Sequence, residues 1–536
     1  MPFDASDHIM PTLLNFLIII ADQMRADHMG CAGNPIVQTP HLDALAASGV
    51  RFTRAYVNNP LCMPSRATLF TGQTARGHGV RTNGINLTPG IPTMPGALGD
   101  AGYRTHSIGK IHLGSFDTPR GIDPEACDPL RFPEARYMWD SGKLTSLPRD
   151  YFGLQTADFT GGHGSYLWGD YARWLEERLP GGIKLTRPEA GEKLASGAEQ
   201  AYKMALPAEL HYNTWIADRA ADFLGQSAQT GQPFFLWCSF PDPHHPYCPP
   251  RPWCDMYLDP AMRERIIESS VARREGELDS LPPHYRRMFE SDMPTSGRLG
   301  ATRLPDDQLA DILALTYGSI SFMDSQIGRV MQALDDTGLR ENTVVVFLAD
   351  HGDMMGDHWI INKGPFHFDG LLKVPMIWSL PRQPAAGRTS DALFSLLDFA
   401  PTVLDLAGVP VPEGEAPATP ECPEALPPWP GVSARPVLTG EADRVQDAVV
   451  PESVIVENDE DYLGLRLRTL VTERYHLTSY PGQPYGELFD LHADPWQLHN
   501  LWDSPEHQDL KRNLLVQLME RLVLTDSRLP RRLTHA

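Results

Sequence analysis

The chain has 536 residues, 42% of them hydrophobic and 21% charged, with a formal net charge of -22. That length exceeds the usual size of one hydrophobic core, so a large domain with a smaller companion is expected. The acidic balance argues against nucleic acid and anionic membrane surfaces as partners, because phosphate binding depends on clustered Lys and Arg. The longest apolar run, Phe16 to Ala21, is too short to cross a bilayer, and the acidic start Met1 to His8 does not read as a signal peptide. Seven cysteines (31, 62, 127, 238, 248, 254 and 422) form an odd, scattered set unlike a disulfide framework, and a cytoplasmic location is expected. Cys238, Cys248 and Cys254 lack metal-ligand spacing and are read as structural.

Leu13 to Ala21 is a continuous apolar, β-branched run, the pattern of a strand buried on both faces, and it ends in Asp22-Gln23. Thr39 is placed to cap a helix with Pro40 at its first position and a stop at Gly49. Residues 115–197 read as irregular and Pro/Gly/aromatic-rich, a substrate-covering insertion, as do residues 254–303. Between them, Pro233 to Phe240 is a second buried strand, ending in Asp242-Pro243-His244-His245. Leu309 to Leu334 is a long amphipathic helix, and Thr343 to Ala349 a third buried strand ending in Asp350-His351. Residues 409–436 are proline-dense, a linker or surface strap. After them, Leu463 to Leu477 and Gly486 to Leu491 alternate like antiparallel strands, and Gln508 to Leu524 reads as a terminal helix. The expected architecture is therefore α/β, a large mostly parallel sheet flanked by helices over residues 1–436, with a small antiparallel α+β domain over residues 437–536.

Ligands of open α/β sheets bind at the carboxyl ends of the strands, where this chain repeatedly delivers polar residues. Asp22-Gln23 and Asp350-His351 share one design, an acid followed by a second ligand type. Side by side they would hold a divalent cation with mostly hard oxygen donors.

Between them in sequence lies Leu61-Cys62-Met63-Pro64-Ser65-Arg66. This stretch resembles the signature of type I sulfatases, members of the alkaline phosphatase-like superfamily. So does the order of strand-Asp22, Gly109-Lys110-Ile111-His112-Leu113-Gly114, Asp350-His351-Gly352-Asp353 and Lys363, with Glu487 to Leu501 like the closing signature. The resemblance spans nearly the whole chain and implies the alkaline phosphatase-like fold. It further implies that a formylglycine-generating enzyme, a transient partner, oxidises Cys62 to formylglycine, and that the aldehyde hydrate attacks a sulfate ester. Asp22, Gln23, residue 62, Asp350 and His351 would hold the metal. Arg66 would steady residue 62, Lys110 and Lys363 would bind the sulfuryl oxygens, and His244 would serve the leaving oxygen in preference to His245. His112 would take the proton whose loss expels sulfate from a covalent intermediate, and Asn83 would contact the substrate anion. His41, His78 and His106 are read as structural.

Common arylsulfatases carry Asp-Asp and Asp-Asn where this chain has Asp22-Gln23 and Asp350-His351. That variant looks more like choline sulfatases and phosphonate monoester hydrolases. Ca²⁺ is the first expectation, with Mn²⁺ or Mg²⁺ as alternatives. Lys110 and His112 favour a sulfatase acting on a small organic sulfate ester; a phosphonate monoester or phosphodiester hydrolase with the same nucleophile is the alternative. Trp139, Tyr166, Trp168 and Trp174 are read as packing, and the sequence leaves a homo-oligomer open.

Overall fold

The computed structural model describes residues 13–271, 274, 276, 280–290, 301–302, 304–382, 385–412, 429–454 and 464–526. Most of the proline-dense stretch, part of the 254–303 segment, Cys422 and the Leu529-Pro530-Arg531-Arg532-Leu533 tail lie outside the described residues.

A nine-stranded sheet forms the centre. Its strands are β1 (Asn15–Ala21), β2 (Val50–Phe52), β3 (Arg104–Gly109), β4 (Thr156–His163), β5 (Tyr166–Gly169), β6 (Phe234–Phe240), β7 (Thr343–Ala349), β8 (Met376–Ser379) and β9 (Arg388–Ser390). Their spatial order is β9-β2-β8-β7-β1-β6-β3-β4-β5. The central run β7-β1-β6-β3-β4 is parallel throughout. β1 sits in its middle, with Ile18 beside Val346 on one side and Trp237 on the other. Every residue of β1, β6 and β7 is buried, as their predominantly apolar composition requires. Each fully buried Ile or Val there contributes roughly 1.5–3 kcal/mol relative to exposure.

Four helices matter for the site. α1 (Pro40–Ala47) packs on the sheet, α2 (Cys62–Thr71) is buried along its full length, and α3 (Tyr212–Thr230) and α4 (Asp306–Asp336) pack together. Thr39 does occupy the N-cap position of α1, but its hydroxyl accepts from the Gly30 N–H and donates to Asp43 instead of capping the helix. A second sheet holds β10 (Ala448–Val449), β11 (Glu452–Val454), β12 (Arg466–Thr472), β13 (Tyr475–Ser479) and β14 (Gly486–Asp490), all antiparallel. The C-terminal helix α5 (Gln508–Leu524) covers it.

Two sequence expectations need correcting. Residues 115–197 are not irregular throughout: they contain β4 and β5, which extend the central sheet. Gly161, Gly162 and Gly164 blur the apolar alternation there, so backbone pairing decides the strand. The 463–477 stretch, likewise, is a hairpin of two strands broken at Glu473-Arg474. No helix of the described residues is long and apolar enough to cross a membrane.

Candidate active site

Asp22 and Asp350 leave neighbouring parallel strands, and the Asp350 N–H donates to the carbonyl of Ala21 at 3.2 Å. Parallel pairing thus puts both carboxylates on one edge. One Asp350 oxygen accepts from the N–H groups of Gln23 (3.0 Å) and His351 (2.9 Å), and the other accepts from Arg66 Nε at 2.7 Å. Arg66 also donates to the Lys110 carbonyl (2.9 Å) and Ser239 Oγ (3.0 Å), so this fully buried guanidinium ties the ends of β7, β3 and β6 together.

Cys62 opens α2. Pro64 falls in the first turn, where a missing N–H costs no intrahelical bond. The Asn83 amide oxygen accepts from the Met63 N–H at 3.0 Å, while the Asn83 residue itself is exposed. The Cys62 sulfur therefore sits at a helix N-terminus, whose dipole favours negative charge. It lies 3.1 Å from His351 Nε2, 3.2 Å from Lys363 Nζ and 3.7 Å from an Asp22 oxygen. Burial and then Asp22 push the unmodified thiol's pKa up, which outweighs Lys363 and Lys110.

One side of Cys62 suits a cation. Asp22, Cys62, Asp350 and His351 present ligand atoms all within 4.8 Å of one another, and all four are buried. The His351 Nδ1–H donates to the Gly352 carbonyl at 2.8 Å, which leaves Nε2 bare and aimed inward, the orientation a metal-ligating imidazole needs. Burial and then Lys363 push His351 down to about 4, so the ring is neutral at physiological pH. Gln23 adopts φ 61°, and its side-chain amide donates to Asp353 at 2.5 Å. Two carboxylates, one neutral imidazole and an amide oxygen fit a divalent metal.

The other side suits an anion. Lys110 is paired with Asp22 and lies 2.8 Å from His163 Nδ1; Lys363 reaches Gln23 Oε1 at 3.0 Å and His244 Nε2 at 3.4 Å. Although burial pushes the Asp22 carboxyl up, Lys110 and then His244, Arg66 and His163 hold it well below the usual range. His244, His163 and Cys62 also approach within 4.8 Å, but lysine ammonium groups already occupy both rings' nitrogens and mark that space for negative charge. His112 has φ 61°, stacks on Phe116 with ring centroids 3.8 Å apart, and has a buried Nδ1 with no hydrogen-bond partner among the described residues.

The structure thus gathers Asp22, Gln23, Cys62, Arg66, Lys110, His244, Asp350, His351 and Lys363 around one point, with His112 on the adjoining Lys110 loop. Lys363 is buried; of the histidines read as structural, His78 bridges Thr68 and the Val80 N–H, His106 bonds Thr156 and Asp158, and His41 is exposed. Trp168 donates to the Glu134 carbonyl, and Trp139 stacks on Phe159. Sequence reasoning missed three residues. The buried Glu134 carboxylate accepts from the N–H groups of His112, Leu113 and Gly114 at 2.7, 2.8 and 2.7 Å. Asp353 accepts from Gln23 and from the Met355 and Asn362 N–H groups. His163 reaches the site from the end of β4. A cleft of about 840 Å³, lined by Ile91, Tyr151 and Phe152 among others, touches none of the residues around Cys62. Donor chemistry therefore locates the site better than volume does.

The fold is alkaline phosphatase-like α/β, with a cluster of hard donors on one side of Cys62 and two buried lysines on the other. The sulfatase family model matches residues 14–409, and a model described as N-sulphoglucosamine sulphohydrolase, C-terminal, matches residues 356–523. The chain belongs to the sulfatase family and is a sulfuric ester hydrolase. It is 29% identical to the uncharacterized sulfatase YidJ of Escherichia coli over 514 residues (94% of this chain, 86% of the relative). It is 26% identical to the choline-sulfatase of Rhizobium meliloti over 499 residues (92% and 83%). Among solved structures it resembles the phosphonate monoester hydrolase of Agrobacterium radiobacter, with a TM-score of 0.72, 26% identity and 96% of each chain covered.

Proposed function

We propose that the protein is a formylglycine-dependent sulfatase for a small organic sulfate ester, with residue 62 as nucleophile. The observation that carries this reading is the position of Cys62, at a helix N-terminus between a hard-donor cluster and two buried lysines. Formylglycine at residue 62 would supply a hydrated aldehyde, one hydroxyl to take the sulfuryl group and a second whose deprotonation expels sulfate. A divalent cation held by Asp22, Gln23, residue 62, Asp350 and His351, Ca²⁺ first and Mn²⁺ or Mg²⁺ as alternatives, would lower the pKa of the attacking oxygen. Lys110 and Lys363 hold the sulfuryl oxygens, where preorganised charge stabilises the transition state. Arg66 fixes the strand ends that frame the nucleophile. His112, whose Nδ1 is buried with no hydrogen-bond partner among the described residues, would accept the proton, and burial followed by Lys110 favours its neutral form. Asn83 offers its exposed amide at the mouth of α2.

The domain boundary near residue 436, the covering role of residues 115–197 and 254–303, a transient formylglycine-generating partner and a homo-oligomeric state belong to the same reading. Besides Cys62, five cysteines among the described residues are free thiols, which supports the cytoplasm.

The test is kcat/KM for an aryl sulfate against a matched aryl phosphonate monoester, with Cys62→Ala as control and peptide mass spectrometry to score conversion of Cys62. A sulfate preference lost in the variant is expected. A phosphonate preference would transfer the site to the second reading, favoured by the likeness to the Agrobacterium radiobacter enzyme. Chelation should abolish turnover, and re-addition of Ca²⁺, Mn²⁺ and Mg²⁺ ranks the metals.

A further inference from the structure

We propose that Glu487 is a pH-sensitive latch: in its neutral form it holds the helix Pro283–Glu290 against the C-terminal sheet and the loop after Lys363, and its ionisation releases that helix. The latch lies outside the site around Cys62 and does not depend on the sulfatase reading. Glu487 stands in β14 and is 1% exposed. One of its oxygens accepts from the Tyr480 hydroxyl at 2.9 Å, and the other has no hydrogen-bond partner among the described residues. No Lys or Arg charge offsets it there.

Three parts of the chain meet at this carboxyl. His284 and Tyr285 come from the helix, Tyr480 and Tyr485 from the turn between β13 and β14, and Phe366 and Phe368 from the loop. Tyr285 is fully buried, its ring centroid 6.1 Å from that of Phe366 and 5.6 Å from that of Phe368. The His284 ring lies 5.1 Å from Tyr480, and its Nε2 donates to the Pro365 carbonyl at 2.9 Å. The other ionisable groups of the loop are turned elsewhere: His367 to Thr469 and Ser453, Lys363 to Gln23, Asp357 to Arg25, and His358 onto the Phe368 ring. In the sheet, His476 meets Gln497, Arg468 meets Glu452 and Asp490 meets Arg474, while Arg466 and, on the helix, Arg286 are exposed.

A neutral carboxyl is tolerated in such a place, whereas an ionised one is a buried charge with no cation and one bare oxygen. Burial accordingly drives Glu487 up to about 7, against an ordinary 4.5, although the Tyr480 and Tyr285 hydroxyls pull it down. Burial pushes both phenols well above 10, so they stay neutral while Glu487 titrates. Between 4.5 and 7 the latched form keeps a proton that the released form gives up. Latching is therefore fully favoured below pH 4.5, weakens as pH rises and is weakest above 7. β14 pairs with β13 along its whole length, whereas the helix has eight residues and depends on packing, so the helix is the part that lets go.

The test is amide hydrogen exchange read by mass spectrometry across residues 281–290 and β12 to β14, with the intrinsic pH dependence of exchange divided out. Protection of the helix should fall on the order of 10²-fold between pH 5 and pH 8, while the strands keep theirs. Glu487→Gln, neutral at every pH and of the same shape, should keep the helix protected throughout. Tyr285→Phe keeps the ring but removes a hydroxyl that favours the ionised form, so the upper end of the fall should move to higher pH. Helix protection that is flat with pH in the wild type, or that falls equally in Glu487→Gln, would overturn the proposal. So would loss of protection in β13 and β14 in step with the helix, which is general loosening. Should Glu487→Gln fail to fold, an unshifted profile in Tyr285→Phe overturns the proposal in its place.

Discussion

The two sides of residue 62 are built by different means. On the cation side the ligands come from two adjacent parallel strands, and backbone geometry does most of the positioning: Asp350 accepts from two N–H groups and one guanidinium, and His351 is turned by its own neighbour's carbonyl. On the anion side the charges come from distant loops and are held by side chains. Lys110 rests on Asp22 and His163, Lys363 on Gln23 and His244, and the Lys110–Gly114 turn hangs on Glu134. A Cβ at Gly109, where φ is +94°, would collide with the Ser239 carbonyl oxygen, so glycine lets β3 run straight into that turn. The difference teaches that this sheet edge positions the hard-donor cluster largely through its backbone, whereas the two lysines depend on side-chain partners and on a loop braced by the buried Glu134.

The strongest way to break the comparison is to remove what lies between the halves. Cys62→Ala should lower kcat by about 10⁴-fold or more while the urea midpoint stays put, because both halves survive without the sulfur. Next comes Asp350→Ala, which leaves the buried Arg66 guanidinium without its carboxylate. Unfolding in urea without metal should show a loss of about 3–5 kcal/mol. Stability unchanged by that variant would mean that Arg66 is satisfied elsewhere and that the cation side is not backbone-held.

Glu134→Ala probes the other half. Three adjacent N–H groups would lose their acceptor, at a cost of about 1–3 kcal/mol in stability. Activity should fall further than stability explains, since His112 would lose its hold. A variant with wild-type kcat would sever Glu134 from the anion side.

A pH titration sharpens the picture away from the site. Burial drives His78 down to about 3, against an ordinary 6.5 in the unfolded chain. Between those values the unfolded chain binds a proton that the folded one refuses, so stability is complete above pH 6.5 and declines as pH falls towards 3. The slope from this one group is about 1.4 kcal/mol per pH unit. His78→Gln should flatten the curve of unfolding free energy against pH by that amount. The smallest effect is expected at the exposed Asp509–Arg512 pair on α5, where Asp509→Asn should change stability by less than about 0.5 kcal/mol.

Much of this was legible beforehand. The mainly apolar runs marked β1, β6 and β7 to within two residues, because a strand buried on both faces admits few polar positions to confuse the pattern. The acids at their ends were visible as an edge, and C-x-P-x-R with G-K-x-H-x-G carried the resemblance to the sulfatase family. Glu134 and His163 were not legible. Each sits in a stretch rich in Gly, Pro and aromatic residues whose spacing carries no periodicity, and nothing local to Glu134 signals that its donors are 20 to 22 residues upstream.

The sequence by itself determined which chemical groups this protein brings, the buried strands that carry them, and the family to which they belong, since residue type and apolar run length act locally. Only the tertiary structure decided which partner each site histidine meets and which acid braces which loop. Those outcomes follow from partners that are distant in the chain and meet only when β4 closes beside β3, where burial makes every unpaired donor costly and so selects a single arrangement.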